Sequence, residues 1–138
     1  MFTMSTMVSP ITCFLVDDDA DDVEIFSIAA AEIKRPITCV TAVDGVDALH
    51  KLNRDEKFIP DFIFLDLNMP RMNGKQTLAE IKKIPRLAEI PVIIYSTSAR
   101  PLDIEETLQL GAFHFLTKPS SITKLTKELS ALINYQRN

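Results

Sequence analysis

Basic residues are few and scattered in this chain. Its 138 residues include 15 Lys and Arg against 19 Asp and Glu, a net charge of −4, and no basic run exceeds a pair. Nucleic-acid phosphates are held by clustered Lys and Arg, so direct nucleic-acid binding is not expected, and a polybasic membrane contact is not expected either. No apolar run approaches the roughly 18 residues of a membrane span. The opening MFTMSTMVSP has neither a basic n-region nor a continuous apolar core, unlike a secretory signal. Cysteine is scarce: Cys13 and Cys39 lie in apolar runs with no CxxC spacing and no paired His. They read as buried thiols in a reducing compartment. The expectation is a cytoplasmic protein with a flexible N-terminal tail over residues 1–10. The length suits one domain, and no internal repeat or low-complexity segment interrupts it.

What the chain does have is acid in one place. Residues 14–22 read FLVDDDADD, an apolar run ending directly in Asp17, Asp18 and Asp19, then Asp21 and Asp22. Carboxylates this close repel, and burial makes the repulsion worse. Solvent, a helix N-terminus or a cation must offset it.

Short apolar runs alternate with amphipathic stretches along the whole chain. Strands are expected at 11–16, 38–43, 61–66, 91–96 and 112–117. Helices are expected at 20–33, 45–52, 74–84, 102–111 and 121–136, the fourth stopped by Gly111. Apolar strands alternating with helices predict an α/β fold, a (βα)5 doubly wound parallel five-stranded sheet covered on both faces. Residues 11–136 then form the one domain.

Ligands of such a sheet bind beyond the carboxyl ends of the strands. Asp17 and Asp18 follow the first strand, Asp66 the third, Ser96 and Thr97 the fourth, and Lys118 the fifth. Asp44 and Gly45, after the second, read as a turn and helix start. A hard divalent cation resolves the carboxylate repulsion, and Mg²⁺ suits a site of one or two carboxylates, waters and a phosphate oxygen. No EF-hand-like loop favours Ca²⁺, and His50 and His114 are not placed as zinc ligands. An Asp beside Mg²⁺ can accept a phosphoryl group. Lys118 and the Ser96 hydroxyl are available for the remaining phosphoryl oxygens.

Four segments carry a family resemblance: LVDDD (15–19), FLDLNMPRMNG (64–74), PVIIYSTSA (91–99) and GAFHFLTKP (111–119). Their order and spacing resemble the receiver domain of two-component response regulators, the CheY-like family, whose strand order is 2-1-3-4-5. The likeness covers about residues 11–135. It is strongest to stand-alone receivers of the kind that serve bacterial phytochromes and other sensor kinases.

The resemblance implies specific roles. Asp66 is the phosphoacceptor. Asp18 binds Mg²⁺ directly, Asp17 mainly through water, and Asn68 through its backbone carbonyl. Ser96 is the switch hydroxyl, Thr97 the residue beside the phosphoryl group, Lys118 the phosphate-binding cation and Phe115 the switch aromatic. Asn68 and Ser98 fall where the family tunes phosphoryl lifetime, and the Lys118–Pro119 bond is expected to be cis. Three features depart from the pattern: a third consecutive Asp at Asp19, no hydroxyl on Phe115, and a Thr97 larger than the usual small residue.

The resemblance further implies a sensor histidine kinase or phosphotransfer protein as donor. Output then passes through the face of helix four, strand five and helix five, to a downstream protein target or a self-dimer, with no output domain. Arg100, Leu102, Ile104, Phe113 and Phe115 are candidates for that face. Asp19, Asp21 and Asp22 are expected to cap the first helix and meet its dipole, and Ser96 could instead cap the next helix. An aspartate-nucleophile phosphohydrolase would want an acid where Asn68 stands. A receiver that no longer takes phosphate usually loses an acid or the Lys, and all of these are present. A flavodoxin-like FMN carrier lacks its phosphate loop here.

Overall fold

A computed structural model describes residues 10–137, with side chains to residue 134. The tail expected over residues 1–10 thus lies, apart from Pro10, outside the described residues. Five strands alternate with five helices: β1 (Ile11–Val16), α1 (Ala20–Ala31), β2 (Ile37–Ala42), α2 (Gly45–Arg54), β3 (Phe62–Leu65), α3 (Gly74–Lys82), β4 (Val92–Ser96), α4 (Pro101–Gln109), β5 (His114–Thr117) and α5 (Ile122–Arg137). All four pairings are parallel and the order is β2-β1-β3-β4-β5. This is the doubly wound α/β fold read from the sequence.

The central strands are buried on both sides, so period-two alternation sorts their side chains into two cores. Phe14, Val16, Ile63, Leu65, Val92 and Ile94 pack with Ala48 and Leu52 of α2 and Leu78 and Ile81 of α3. Cys13, Leu15, Phe62, Phe64, Ile93 and Tyr95 pack with Phe26 and Ala29 of α1 and Leu125 and Leu129 of α5. Phe26 meets Phe64 and Tyr95 edge-on, with ring centroids 4.9 and 5.6 Å apart.

Local signals set the helix ends. Asp19 caps α1, accepting from the backbone N–H groups of Asp21 and Asp22. Asp44 caps α2, and Asn73 with Gln76 forms a capping box on α3. Gly111 takes a left-handed φ of 108° just after α4, the conformation that stops a helix at least cost.

Several element ends shift by one or two residues from the sequence reading, and three differences follow. β5 begins at His114, because the Ala112 N–H is bonded back to the Thr107 carbonyl and only Phe113 N–H turns to the sheet, at Val92. A 3₁₀ turn at Pro85–Leu87, absent from the sequence reading, lies between α3 and β4. The Lys118–Pro119 bond is not cis, since the described residues contain no cis peptide.

No described helix is long and apolar enough to cross a membrane.

Candidate functional site

The carboxyl ends of β1, β3, β4 and β5 meet at one edge of the sheet. Strand pairing aligns them: Val16 is in register with Leu65, and Ser96 with Thr117. The Asp66 N–H continues the ladder to the Val16 carbonyl at 3.0 Å, and the Lys118 N–H to the Ser96 carbonyl at 2.8 Å. The backbones of Asp66 and Lys118 are therefore held by the same ladder as the strands they follow.

Asp17, Asp18 and Asp66 each bring a carboxylate oxygen within 4.8 Å of the other two. Asp17 and Asp66 are buried, while Asp18 is exposed at the rim. Asp17 Oδ1 accepts from the Asp19 N–H at 2.9 Å. Burial raises the Asp17 carboxyl above its ordinary pKa despite the neighbouring ammonium of Lys118. Burial likewise pushes Asp66 up to about 6. Lys118 opposes that shift, Asp17 reinforces it, and the Asn68 and Leu67 N–H groups oppose it. Acidic oxygens this close, with Asp18 open to solvent, suit a hard divalent cation.

Lys118 is the only cation among the described residues paired with this cluster. Its side chain is 8% exposed, and its Nζ lies 2.8 Å from Asp17 Oδ2, 2.7 Å from Asp22 Oδ2 and 3.7 Å from Asp66 Oδ2. Burial pulls its pKa down, but Asp17, Asp22 and Asp66 more than offset this and hold the ammonium charged. The Tyr95 ring lies beneath it, 5.3 Å to the centroid.

The Ser96 hydroxyl is fully buried and has no hydrogen-bond partner among the described residues. It does not cap the next helix, since α4 begins after Arg100 with Pro101 and no side-chain cap. A buried hydroxyl without a partner is costly in a folded protein, and such groups mark places where an acceptor can enter. Thr97 and Asn68 are exposed in the cleft that also holds Asp18, Asp22, Asp66 and Lys118. Phe115 is half-buried against the core on the α2–α3 side. His50 and His114 are exposed and lie outside the Asp17–Asp18–Asp66 group.

The segment after β3 is held from two sides. Gly74 N–H donates to the Leu67 carbonyl at 2.9 Å. Arg71, in a left-handed conformation with φ 64°, donates to both oxygens of the buried Asp44, at 2.6 and 2.9 Å. At the start of α4, the buried Asp103 accepts from Arg100 and Lys75 at 2.8 and 2.7 Å, and Lys75 also bonds Glu106. Arg100 first and Lys75 second hold the Asp103 carboxyl at about 2.

The sequence reading put Asp22 at the helix terminus, and it does lie in the first turn of α1. Asp19 alone supplies the capping bonds, and Asp22 turns its carboxylate to Lys118, 96 residues away. The dense acid run was the available signal, but it did not say which acid faces inward.

A five-stranded parallel α/β domain with an acidic cluster and one buried Lys at its carboxyl edge defines a receiver-type module. The model of the response regulator receiver domain matches residues 13–130, and the chain belongs to that family. It is similar to a protein-glutamate methylesterase/protein-glutamine glutaminase of Methanococcoides burtonii, 34% identical over 123 residues. That match covers 88% of this chain but 30% of the relative's length. Among solved structures it resembles the phosphorylated cyanobacterial phytochrome response regulator RcpA, with TM-score 0.83, 32% identity, and coverage of 92% of this chain and 94% of that one. It also resembles the Mn²⁺-bound form of response regulator Rcp1, known from Synechocystis sp., with TM-score 0.80, 27% identity and the same coverage.

Proposed function

We propose that the chain is a two-component response regulator that takes a phosphoryl group onto Asp66. The observation that carries this reading is the setting of Asp66: a desolvated carboxylate, 3.7 Å from a buried ammonium and clustered with two further acids. RcpA in a phosphorylated state and Rcp1 with Mn²⁺ support both halves of it.

The donor is a phosphohistidine of a sensor histidine kinase or a phosphotransfer protein. An Asp66 carboxylate oxygen attacks the phosphorus in line. The P–N bond breaks, and the imidazole leaves with its electron pair and regains a proton from water. Lys118 faces one phosphoryl oxygen. The unpartnered Ser96 hydroxyl donates to another once its segment moves inward. Thr97, at the mouth of the cleft, limits how closely water and donor approach. Asp18, Asp66 and the Asn68 carbonyl would hold Mg²⁺ directly and Asp17 mainly through water, and the ion would offset charge on the transferring oxygens.

Ser96 and Phe115 link the site to the output face. Ser96 closes β4 and Phe115 sits in β5, and Ser96 and Thr117 are in register across that pair. Inward movement of Ser96 biases the packing of α4, β5 and α5 between two arrangements. Leu102 and Phe113 are exposed on that side, at 59% and 40%, while Ile104 and Phe115 are half-buried. The signal then leaves by contact with a downstream protein or a second copy of the chain.

Intact mass after incubation with Mg²⁺ and acetyl phosphate tests the reading. One added phosphoryl group is expected, lost with chelator and with Asp66→Asn. Unmodified folded protein after incubation with both acetyl phosphate and a phosphorylated kinase would contradict it.

A further inference from the structure

Lys118 is committed elsewhere before any phosphoryl group arrives. Its ammonium lies closest to Asp22 and Asp17, at 2.7 and 2.8 Å, and stands 3.7 Å from Asp66. Asp17 is fixed at the end of β1. Asp22 differs: it sits in the first turn of α1, and its side chain is 27% exposed. It can release Lys118 and be solvated at low cost. No backbone group of α1 depends on it, because Asp19 accepts both capping bonds.

We propose that Asp22 is a positioning residue that competes with the Asp66 phosphoryl group for Lys118, and so sets how readily the site accepts that group. This rests on the phosphoacceptor reading of Asp66. In the resting protein Asp22 and Asp17 neutralise Lys118 from the α1 side. A phosphoryl group on Asp66 adds negative charge on the other side, and the ammonium must shift toward it. Each such shift breaks the Asp22 pair. Asp22 thereby favours the unphosphorylated state by the free energy of one partly exposed ion pair.

The competition predicts an affinity change of unusual sign. Replacing an acid that merely supported α1 would leave ligand affinity unchanged or weaken it. Asp22→Asn keeps the shape and removes the charge, so it should tighten binding of a phosphoryl analogue. An ion pair of this exposure corresponds to an increase on the order of two- to fivefold. Asp21→Asn is the matched control. It makes the same change of charge one residue away, on an exposed side chain outside the cluster.

The experiment is titration of beryllofluoride into the 138-residue wild-type chain, Asp22→Asn and Asp21→Asn at saturating Mg²⁺, read by NMR. The expected result is tighter binding by Asp22→Asn alone, together with faster phosphorylation by acetyl phosphate. Equal affinity for Asp22→Asn and Asp21→Asn, with wild type binding normally, overturns the competition and leaves the phosphoacceptor reading intact. Weaker binding by Asp22→Asn, with an unchanged melting temperature, overturns it in the opposite sense. If folded wild type binds no beryllofluoride and takes no phosphoryl group, the phosphoacceptor reading falls and the competition with it.

Discussion

Gly74 packs directly on the backbone of Asp66. A Cβ at Gly74 would lie 2.3 Å from the Asp66 carbonyl oxygen and 2.7 Å from Leu67 Cα. Both are backbone atoms, so they cannot rotate away as a side-chain end could. Gly74→Ala must therefore move α3 or the segment that carries Asp66. Overpacking of this kind costs about 1–3 kcal/mol. The expected outcome is a lower denaturation midpoint in urea and slower phosphorylation by acetyl phosphate. Unchanged values of both would show that the two segments give way freely.

Ser96 makes the opposite kind of prediction. Its buried hydroxyl has no partner, so removing it should not destabilise the resting protein. Ser96→Ala is expected to be neutral or stabilising by up to about 1 kcal/mol in urea denaturation. The same variant should lose the chemical-shift changes that beryllofluoride produces in α4 and β5. A clear loss of stability would mean that Ser96 is already bonded at rest.

Asp66 ties stability to pH. Its folded-state pKa of about 6 stands above the ordinary carboxylate value, chiefly through burial. Between about pH 4 and pH 6 the folded state binds more protons than the unfolded state, so stability from this group is lost as pH rises. Asp66→Asn removes that penalty. In chelator the variant should be more stable than wild type by about 3 kcal/mol near pH 7.5, with the difference fading toward pH 4. Paired urea melts at the two pH values measure it. A difference that did not depend on pH would contradict the shift.

Divalent cation binding should show the complementary trend. Bound metal requires ionised carboxylates, so Mg²⁺ should raise the melting temperature near pH 7.5 and lose that effect near pH 5. Asp18→Asn should abolish the Mg²⁺ effect without lowering the melting temperature in chelator, because Asp18 is exposed. A thermal shift series with Mg²⁺ and with chelator tests both statements.

Much of the fold was legible because the burial pattern is simple. Runs such as Phe62–Leu65 and Val92–Ser96 are buried at every position, as strands of a sheet covered on both faces are. The positions of Asp17, Asp66, Ser96 and Lys118 follow from where those runs stop. Boundaries were less legible where apolar residues serve the flanks of a strand, as Ala112 and Phe113 do before β5. The 3₁₀ turn at Pro85–Leu87 gave no periodic signal over three residues. Asp22 lies in the first turn of α1 as read, but its pairing with Lys118 was not legible, for a physical reason. A helix terminus and a distant ammonium both attract a carboxylate, and local sequence records only the first. The Arg71–Asp44 pair was hidden in the same way, since it joins two segments 27 residues apart.

The central claim is that the Asp66 side chain carries the phosphoryl group as an acyl phosphate. Borohydride reduction tests it most directly, because it converts an aspartyl phosphate to homoserine and leaves free carboxylates unchanged. After treatment with acetyl phosphate and Mg²⁺, peptide mass spectrometry should find homoserine at position 66. Homoserine at Asp17, Asp18 or Asp22, or at no position in a protein that had gained mass, would contradict the account.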